Sequence, residues 1–280
     1  MIGLGAMGTD MARNIAKTGL LAAVYNRTFV KAEVLAKELR VTAVQSPKEL
    51  AAIVDVILIC VSADQDVLEI ITAITSTIQP GSVVVDMSTV SDDTVKRAAL
   101  ILAEKQVDFL DAPVSGGTEG AKNGSLAMML GGNTQALEKA RPVLETMTSR
   151  IVHMGGNGTG QGTKAVNQIM AAGINQAVTE ALAFGQAQGL PMDKVIEVIS
   201  GGAAGNWFLE HRGPTMTKDT FAPGFKLSLH HKDLKICQEM ARLNGADTTL
   251  TEMTLANYEQ LIREGLGDAD ISALYRLKRP

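Results

Sequence analysis

Over its first half the chain alternates short runs dense in Val, Ile and Leu with longer stretches in which apolar residues recur every three or four positions. Short apolar runs bounded by turn residues read as buried strands and the longer pattern as amphipathic helices, so the alternation predicts a parallel sheet covered on both faces. Strands are expected at residues 20–25, 41–44, 55–61, 82–86, 107–111, 126–130 and 150–154, with residues 1–2 as the stub of a first strand. Ser46 ahead of Pro47 and Glu49, and Ser91 ahead of Asp92 and Asp93, are helix-start chemistry and place helices at about 47–53 and 92–105.

After His153 the rhythm changes. Gly155, Gly156, Gly158, Gly160 and Gly162 mark a loop, and residues 163–188 then run without proline. Val166, Ile169, Met170, Ile174, Ala177, Ala181, Leu182 and Phe184 give that run a wide apolar stripe, as in a helix buried between other elements. Further helical patterns at 192–200, 230–244 and 250–265, with no strand among them, predict an all-helical remainder. The expected class is therefore α/β. Residues 1–154 form the sheet domain and residues 155–280 a helical domain, joined by a long interdomain helix.

Composition fits that picture and removes alternatives. In 280 residues, 46% hydrophobic and 20% charged, there is enough apolar material for a folded core, in one large domain or two smaller ones. The balance of 26 basic against 30 acidic residues, net −4, argues against nucleic acid as a partner. Cys60 and Cys237 each sit in an apolar stretch, which fits a reduced, cytoplasmic compartment. No apolar stretch reaches the roughly 18 residues needed to span a bilayer, and no membrane partner is expected. The chain opens directly in a glycine motif rather than in a basic and apolar leader, so export is not expected.

That motif is Gly3, Leu4, Gly5, Ala6, Met7, Gly8, a G-x-G-x-x-G opening a helical pattern. In a dinucleotide site the first glycine makes the turn, the second lets backbone approach the pyrophosphate, and the third lets helix and strand pack closely. Only two residues precede Gly3, where a strand usually runs about five or six. At the end of the second strand stand Asn26, Arg27 and Thr28, with Lys31 a turn onward. The absence of a carboxylate there, and the presence of groups able to pair with a 2′-phosphate, predict NADP(H) in preference to NAD(H).

A second loop, Asp111 to Gly117, contains Ser115, Gly116 and Gly117, whose amides and hydroxyl suit a carboxylate but whose composition equally suits a plain turn. Lys164, Asn167 and Gln168 stand at i, i+3 and i+4, so they share one helix face, expected to point into a cleft between the domains. His230 and His231 are adjacent, so they diverge on a helix, and no metal site is expected. Lys232 beside them is the better candidate. Trp207 and Phe208 fit either a substrate pocket wall or simple core.

These blocks, in this order, resemble the β-hydroxyacid dehydrogenase family along essentially the whole chain. The resemblance rests on the opening GLGAMG, on DMSTVS at Asp86–Ser91, on DAPVSGG at Asp111–Gly117, on GTGQGTKAVNQ ending at Gln168, and on HKDL ending at Leu234. It implies a Rossmann-type doubly wound sheet, a long interdomain helix, and an all-helical C-terminal domain through which the protein forms a homodimer or homotetramer. It implies that Lys164 is the catalytic proton donor, that Asn167 orients the substrate with Gln168 beside it, and that Ser115, Gly116 and Gly117 bind a carboxylate. Val61, Ser62 and Thr89 would border the cofactor, and Lys232 with Asp233 would line the site. Gln168 departs from the family pattern, which often has a second asparagine there.

Residues 201–207, GGAAGNW, resemble the NADP-dependent reductases of short semialdehydes within that family. Reduction of succinic semialdehyde or glyoxylate is therefore expected, with oxidation of 3-hydroxyisobutyrate or 3-hydroxypropionate as the alternative. An imine reductase usually lacks the lysine at position 164. A 6-phosphogluconate dehydrogenase has a much longer helical region. A non-catalytic NADPH-binding protein would have lost that lysine.

Overall fold

A computed structural model describes residues 1–279. The chain divides into two compact units, Met1–Lys164 and the residues from Ala165 onward. The division falls inside a helix, between Lys164 and Ala165.

The first unit runs α1 (Gly8–Ala16), β1 (Ala23–Val24), α2 (Phe29–Leu39), β2 (Thr42–Ala43), α3 (Pro47–Ala51), β3 (Val56–Ile59), α4 (Asp64–Ile74), β4 (Val83–Asp86), α5 (Asp92–Ala103), β5 (Asp108–Asp111), β6 (Val114–Ser115), α6 (Gly117–Asn123), β7 (Leu126–Gly131), α7 (Thr134–Leu144) and β8 (Thr148–Gly155). Helix α8 (Thr159–Ala187) begins in this unit, and the second unit continues with α9 (Met192–Ser200), α10 (Trp207–Met216), α11 (Leu227–Asn244), α12 (Thr249–Arg263) and a 3₁₀ segment, Ile271–Leu277.

Strands β3, β4 and β5 are parallel neighbours, and β1 pairs in parallel with β2. Ile2 joins these two pieces. Its N–H donates to the Leu58 carbonyl at 2.8 Å and its carbonyl accepts from Cys60 at 2.9 Å, while Gly3 and Tyr25 complete the bridge on the other side. One residue thus occupies the place of a whole strand. Along β4 the period of two is visible in the packing: Val83 and Val85 face the core that holds Met11 and Ile15, and Val84 faces the core that holds Ile71 and Leu102. Both faces are dry, which is why these strands read as unbroken apolar runs.

The sheet is mixed rather than wholly parallel. Strand β7 is antiparallel to β5 and to β6, and parallel to β8. A strand buried on both faces has the same apolar composition in either direction, so side chains alone did not announce the reversal. The short β6 falls within the segment expected to be a loop.

In the second unit the described residues form helices, with one isolated bridge between Lys226 and Asp270. Helix α10 has no counterpart in the sequence reading, because Gly213 and Pro214 lie inside it. Asn206 caps its start, accepting from the Leu209 N–H at 2.9 Å. Asp270 is 1% exposed and accepts from the Gly224, Phe225 and Ser272 amides at 2.9–3.1 Å, with the Arg212 guanidinium at 3.3 Å.

Candidate active site

The glycine loop has the shape its spacing predicts. Gly3 has φ +91°, and a Cβ there would lie 2.2 Å from the Cys60 carbonyl oxygen. A Cβ on Gly8 would lie 2.1 Å from the Gly3 carbonyl oxygen, whereas one on Gly5 would meet nothing within 4 Å. The first and third positions are thus closed against the chain's own backbone and the second is open, the arrangement a pyrophosphate needs in order to approach the loop. Asn26 ties the loop to the end of β1: its Oδ1 accepts from the Leu4 N–H at 2.9 Å and its Nδ2 donates to the Thr28 carbonyl at 3.1 Å. The Arg27 side chain is 83% exposed and pairs with Asp66 at 2.7 Å. A depression of about 460 Å³ adjoins the loop, lined among others by Leu4, Gly5, Ala6, Arg13, Lys31 and Glu38.

The loops after β3 and β4 are stitched together. Val61 N–H donates to Ser88 Oγ at 3.0 Å, and the Ser88 N–H donates to Asp86 at 2.9 Å. Ser91, the cap of α5, and Thr94 converge on one oxygen of Asp64 through three hydrogen bonds of 2.6–2.8 Å. Val61, Ser62 and Thr89 therefore lie on a cross-braced pair of loops.

Lys164 is only 8% exposed, and its Nζ donates to the Val114 carbonyl at 2.8 Å. That carbonyl belongs to β6, so the ammonium is held beside the backbone leading into Ser115, Gly116 and Gly117. Gly116 and Gly117 have φ +130° and +61°, conformations that favour glycine and let α6 begin immediately after β6. The start of α8 is held by Asp111, whose two oxygens accept from the Gly158 and Gln161 amides at 2.9 and 3.0 Å. Burial pushes the Asp111 carboxyl above its ordinary value, while these amide donors pull the other way. A Cβ on Gly160 would lie 2.4 Å from the Asp111 carbonyl oxygen, so the glycine lets α8 seat on the strand ends.

In the second unit Asn167 Nδ2 donates to Gln168 Oε1 at 2.7 Å, and Gln168 Nε2 donates to Asp233 Oδ2 at 2.7 Å. The other oxygen of Asp233 faces Lys232 Nζ at 3.0 Å. Gln168 is 2% exposed, with both ends of its amide engaged. His230 is buried against the Tyr258 hydroxyl at 3.0 Å and the Gln168 carbonyl at 3.1 Å, whereas His231 faces Glu259. Phe208 is core. Trp207 is exposed and stacks on the His211 ring at 4.3 Å.

Two supporting residues escaped the sequence reading. Asp111 was read only as part of its loop, and Gln161 only as a letter in the glycine-rich segment. Neither has a periodic signature, and the partners of Gln161 lie 71 and 73 residues away along the chain.

The family model described as the NAD binding domain of 6-phosphogluconate dehydrogenase matches residues 1–156, and that described as the NAD-binding of NADP-dependent 3-hydroxyisobutyrate dehydrogenase matches residues 158–278. The chain belongs to the β-hydroxyacid dehydrogenase family. It is an NAD(P)-dependent oxidoreductase of that family. It is 36% identical over 276 residues to the 2-hydroxy-3-oxopropionate reductase of Escherichia coli, covering 98% of this chain and 94% of that one. It is 32% identical over 289 residues to the NAD-dependent L-serine dehydrogenase of Pseudomonas aeruginosa, covering 100% and 97%. Among solved structures, the 3-hydroxyisobutyrate dehydrogenase of Mycobacterium tuberculosis with L-serine matches at a TM-score of 0.90 and 30% identity, covering 100% of this chain and 98% of that one. No helix of the described residues of this β-hydroxyacid dehydrogenase is long and apolar enough to cross a membrane.

Proposed function

We propose that the protein transfers hydride between NADP(H) and a small carboxylate-bearing semialdehyde or hydroxy acid, with reduction of succinic semialdehyde or glyoxylate favoured. The observation that supports this best is the buried Lys164 ammonium, 2.8 Å from the Val114 carbonyl at the head of the Ser115–Gly117 loop. When bound, the nicotinamide supplies or accepts the hydride. Lys164 gives its proton to the substrate oxygen as negative charge grows there, and in the reverse direction takes it back. Ser115 and the amides of Gly116 and Gly117 hold the carboxylate, so only molecules carrying one are oriented for transfer. Asn167, one helical turn after Lys164 on α8, orients the substrate together with Gln168, and Lys232 with Asp233 lines the site.

Arg27, Thr28 and Lys31 would meet a 2′-phosphate, and Asn26 presents no carboxylate to repel it. Thr89, Val61 and Ser62 would border the nicotinamide side. The names of the Escherichia coli and Pseudomonas aeruginosa relatives share a compact carboxylate bearing a hydroxyl or carbonyl, the same class of substrate. Both cysteines are free thiols, as a cytoplasmic enzyme keeps them. Assembly as a homodimer or homotetramer through the helical second unit completes the proposal.

The test is the initial rate of NADPH and NADH oxidation with succinic semialdehyde, glyoxylate, 2-hydroxy-3-oxopropionate and an uncharged aldehyde of similar size. Carboxylate-dependent turnover with NADPH is expected. Equal rates with the uncharged aldehyde would remove the anion loop, and turnover with NADH alone would remove the cofactor assignment.

A further inference from the structure

Gln161 occupies an unusual position. Its side chain is 2% exposed, its Nε2 donates to the Ser88 carbonyl at 2.8 Å, and its Oε1 accepts from the Val90 N–H at 3.3 Å. Those are the two backbone groups that flank Thr89. A primary amide holds its N–H donors and its carbonyl acceptor in a single plane, so one N–H and the oxygen pair with the segment as a neighbouring strand would. The Gln161 N–H is itself fixed on Asp111 at 3.0 Å, and Ser88 is fixed in turn on Asp86 and by Val61. One side chain therefore links the start of α8, one turn before Lys164, to the loops after β3 and β4.

We infer that Gln161 is a positioning residue that sets the distance between Thr89, on the nicotinamide side, and Lys164, on the substrate side. This rests on the roles proposed above for those two residues. Neither end of the amide reaches substrate; Gln161 acts by holding the peptide on each side of Thr89 to the turn of helix that leads into Lys164. Displacement of about 1 Å between reacting groups costs on the order of 100-fold in rate, which is the scale of effect such a clamp controls.

Two substitutions separate positioning from bulk stability. Gln161→Leu keeps the volume and removes both hydrogen bonds. Gln161→Glu keeps both only while protonated, because a carboxyl can donate to Ser88 and accept from Val90, whereas a carboxylate has lost the donor and repels the Ser88 carbonyl. The charged or titratable groups around it are Asp86, bonded to the Ser88 N–H, and Asp111, bonded to the N–H of residue 161 itself, with Lys164 one turn onward. Burial and the two carboxylates lift the titration of the new glutamate into an accessible range.

The expected result is a fall in kcat of about 10- to 100-fold for Gln161→Leu, with NADPH dissociation measured by its fluorescence changed by less than about threefold. For Gln161→Glu, the ratio of its kcat to the parent's rises as pH is lowered. In the cofactor-free protein, hydrogen exchange of the peptide spanning residues 86–91 accelerates in Gln161→Leu at every pH, and in Gln161→Glu only at high pH, each relative to the parent. A ratio flat with pH, or a parental kcat in Gln161→Leu, overturns the inference. Lys164→Ala retaining full turnover would instead overturn the reading beneath it while leaving the exchange pattern of the Gln161 variants unchanged, so the two failures are distinct.

Discussion

The Lys164 ammonium sits 2.8 Å from the Val114 carbonyl, a donor held by the backbone of the loop whose next residues are suited to a carboxylate. An ammonium loses its hydration on burial, and the Val114 carbonyl is one of the groups that offset that loss. On the function proposed above, this contact sets the proton donor beside the loop that would hold the carboxylate.

Lys164→Ala is therefore expected to lower kcat by about 10²- to 10⁴-fold, the range supplied by a positioned acid or base, with little change in NADPH dissociation. Steady-state kinetics and cofactor fluorescence on the same preparation check both halves. Loss of NADPH binding in parallel with turnover would show that the residue serves the cofactor instead.

Arg27→Asp exchanges the cation at the end of β1 for a carboxylate and breaks the pair with Asp66. The KM for NADPH should rise by about 10- to 100-fold, the cost of one charge-assisted hydrogen bond, while that for NADH stays level or falls. Equal changes for both cofactors would show that Arg27 does not meet the 2′-phosphate.

Asp111 gives a pH signature in stability. Burial raises its carboxyl above the ordinary 3.8, so the folded chain binds that proton more readily than the unfolded chain. Its contribution is then greatest below the unfolded value and declines as pH rises through the folded one. Compared by urea unfolding with the non-titrating Asp111→Asn from about pH 4 to about pH 7, the parent's advantage should shrink as pH rises. An advantage that grows over that range contradicts the assignment.

Cys60 lies among apolar neighbours close to Asp86, and burial, aided by that carboxylate, pushes its thiol up to about 12. Almost no thiolate is present at neutral pH, so iodoacetamide should label Cys60 slowly in the folded protein and fast in urea. Rapid labelling without denaturant would contradict this environment.

Asp270→Ala orphans three backbone amides and leaves Arg212 without its partner carboxylate. A loss of about 3–5 kcal/mol is expected in the unfolding of the second unit, as when one partner of a buried pair is removed. A shift below about 1 kcal/mol would mean that water replaces the carboxylate at no real cost.

How much of this was legible in the sequence depends on the range of the forces involved. The Val83–Val85 run and the proline-free stretch after Gly162 are local patterns, and they located β4 and α8 directly. The face shared by Lys164 and Asn167 follows from helical spacing, and Gly3, Gly5 and Gly8 behave as their spacing demands. What stayed hidden is non-local: the reversal of β7, the two-residue β6, and the grip of Gln161 on Ser88 and Val90. Helix α10 was hidden for a local reason, since Gly213 and Pro214 argue against a helix that Asn206 and the buried Phe208 and Leu209 nonetheless hold in place.

The row Asn167–Gln168–Asp233 also has a direction. A carboxylate can only accept, so Asp233 obliges Gln168 to turn its NH₂ toward it and its oxygen toward Asn167, which must answer with its own NH₂. The sign of a single charge is thereby handed along two amides, and the branch that Asn167 turns away from Gln168 is its oxygen. The polarity of the row is thus set by Asp233, the one member that cannot donate, and Asp233→Asn would leave both amides free to turn over.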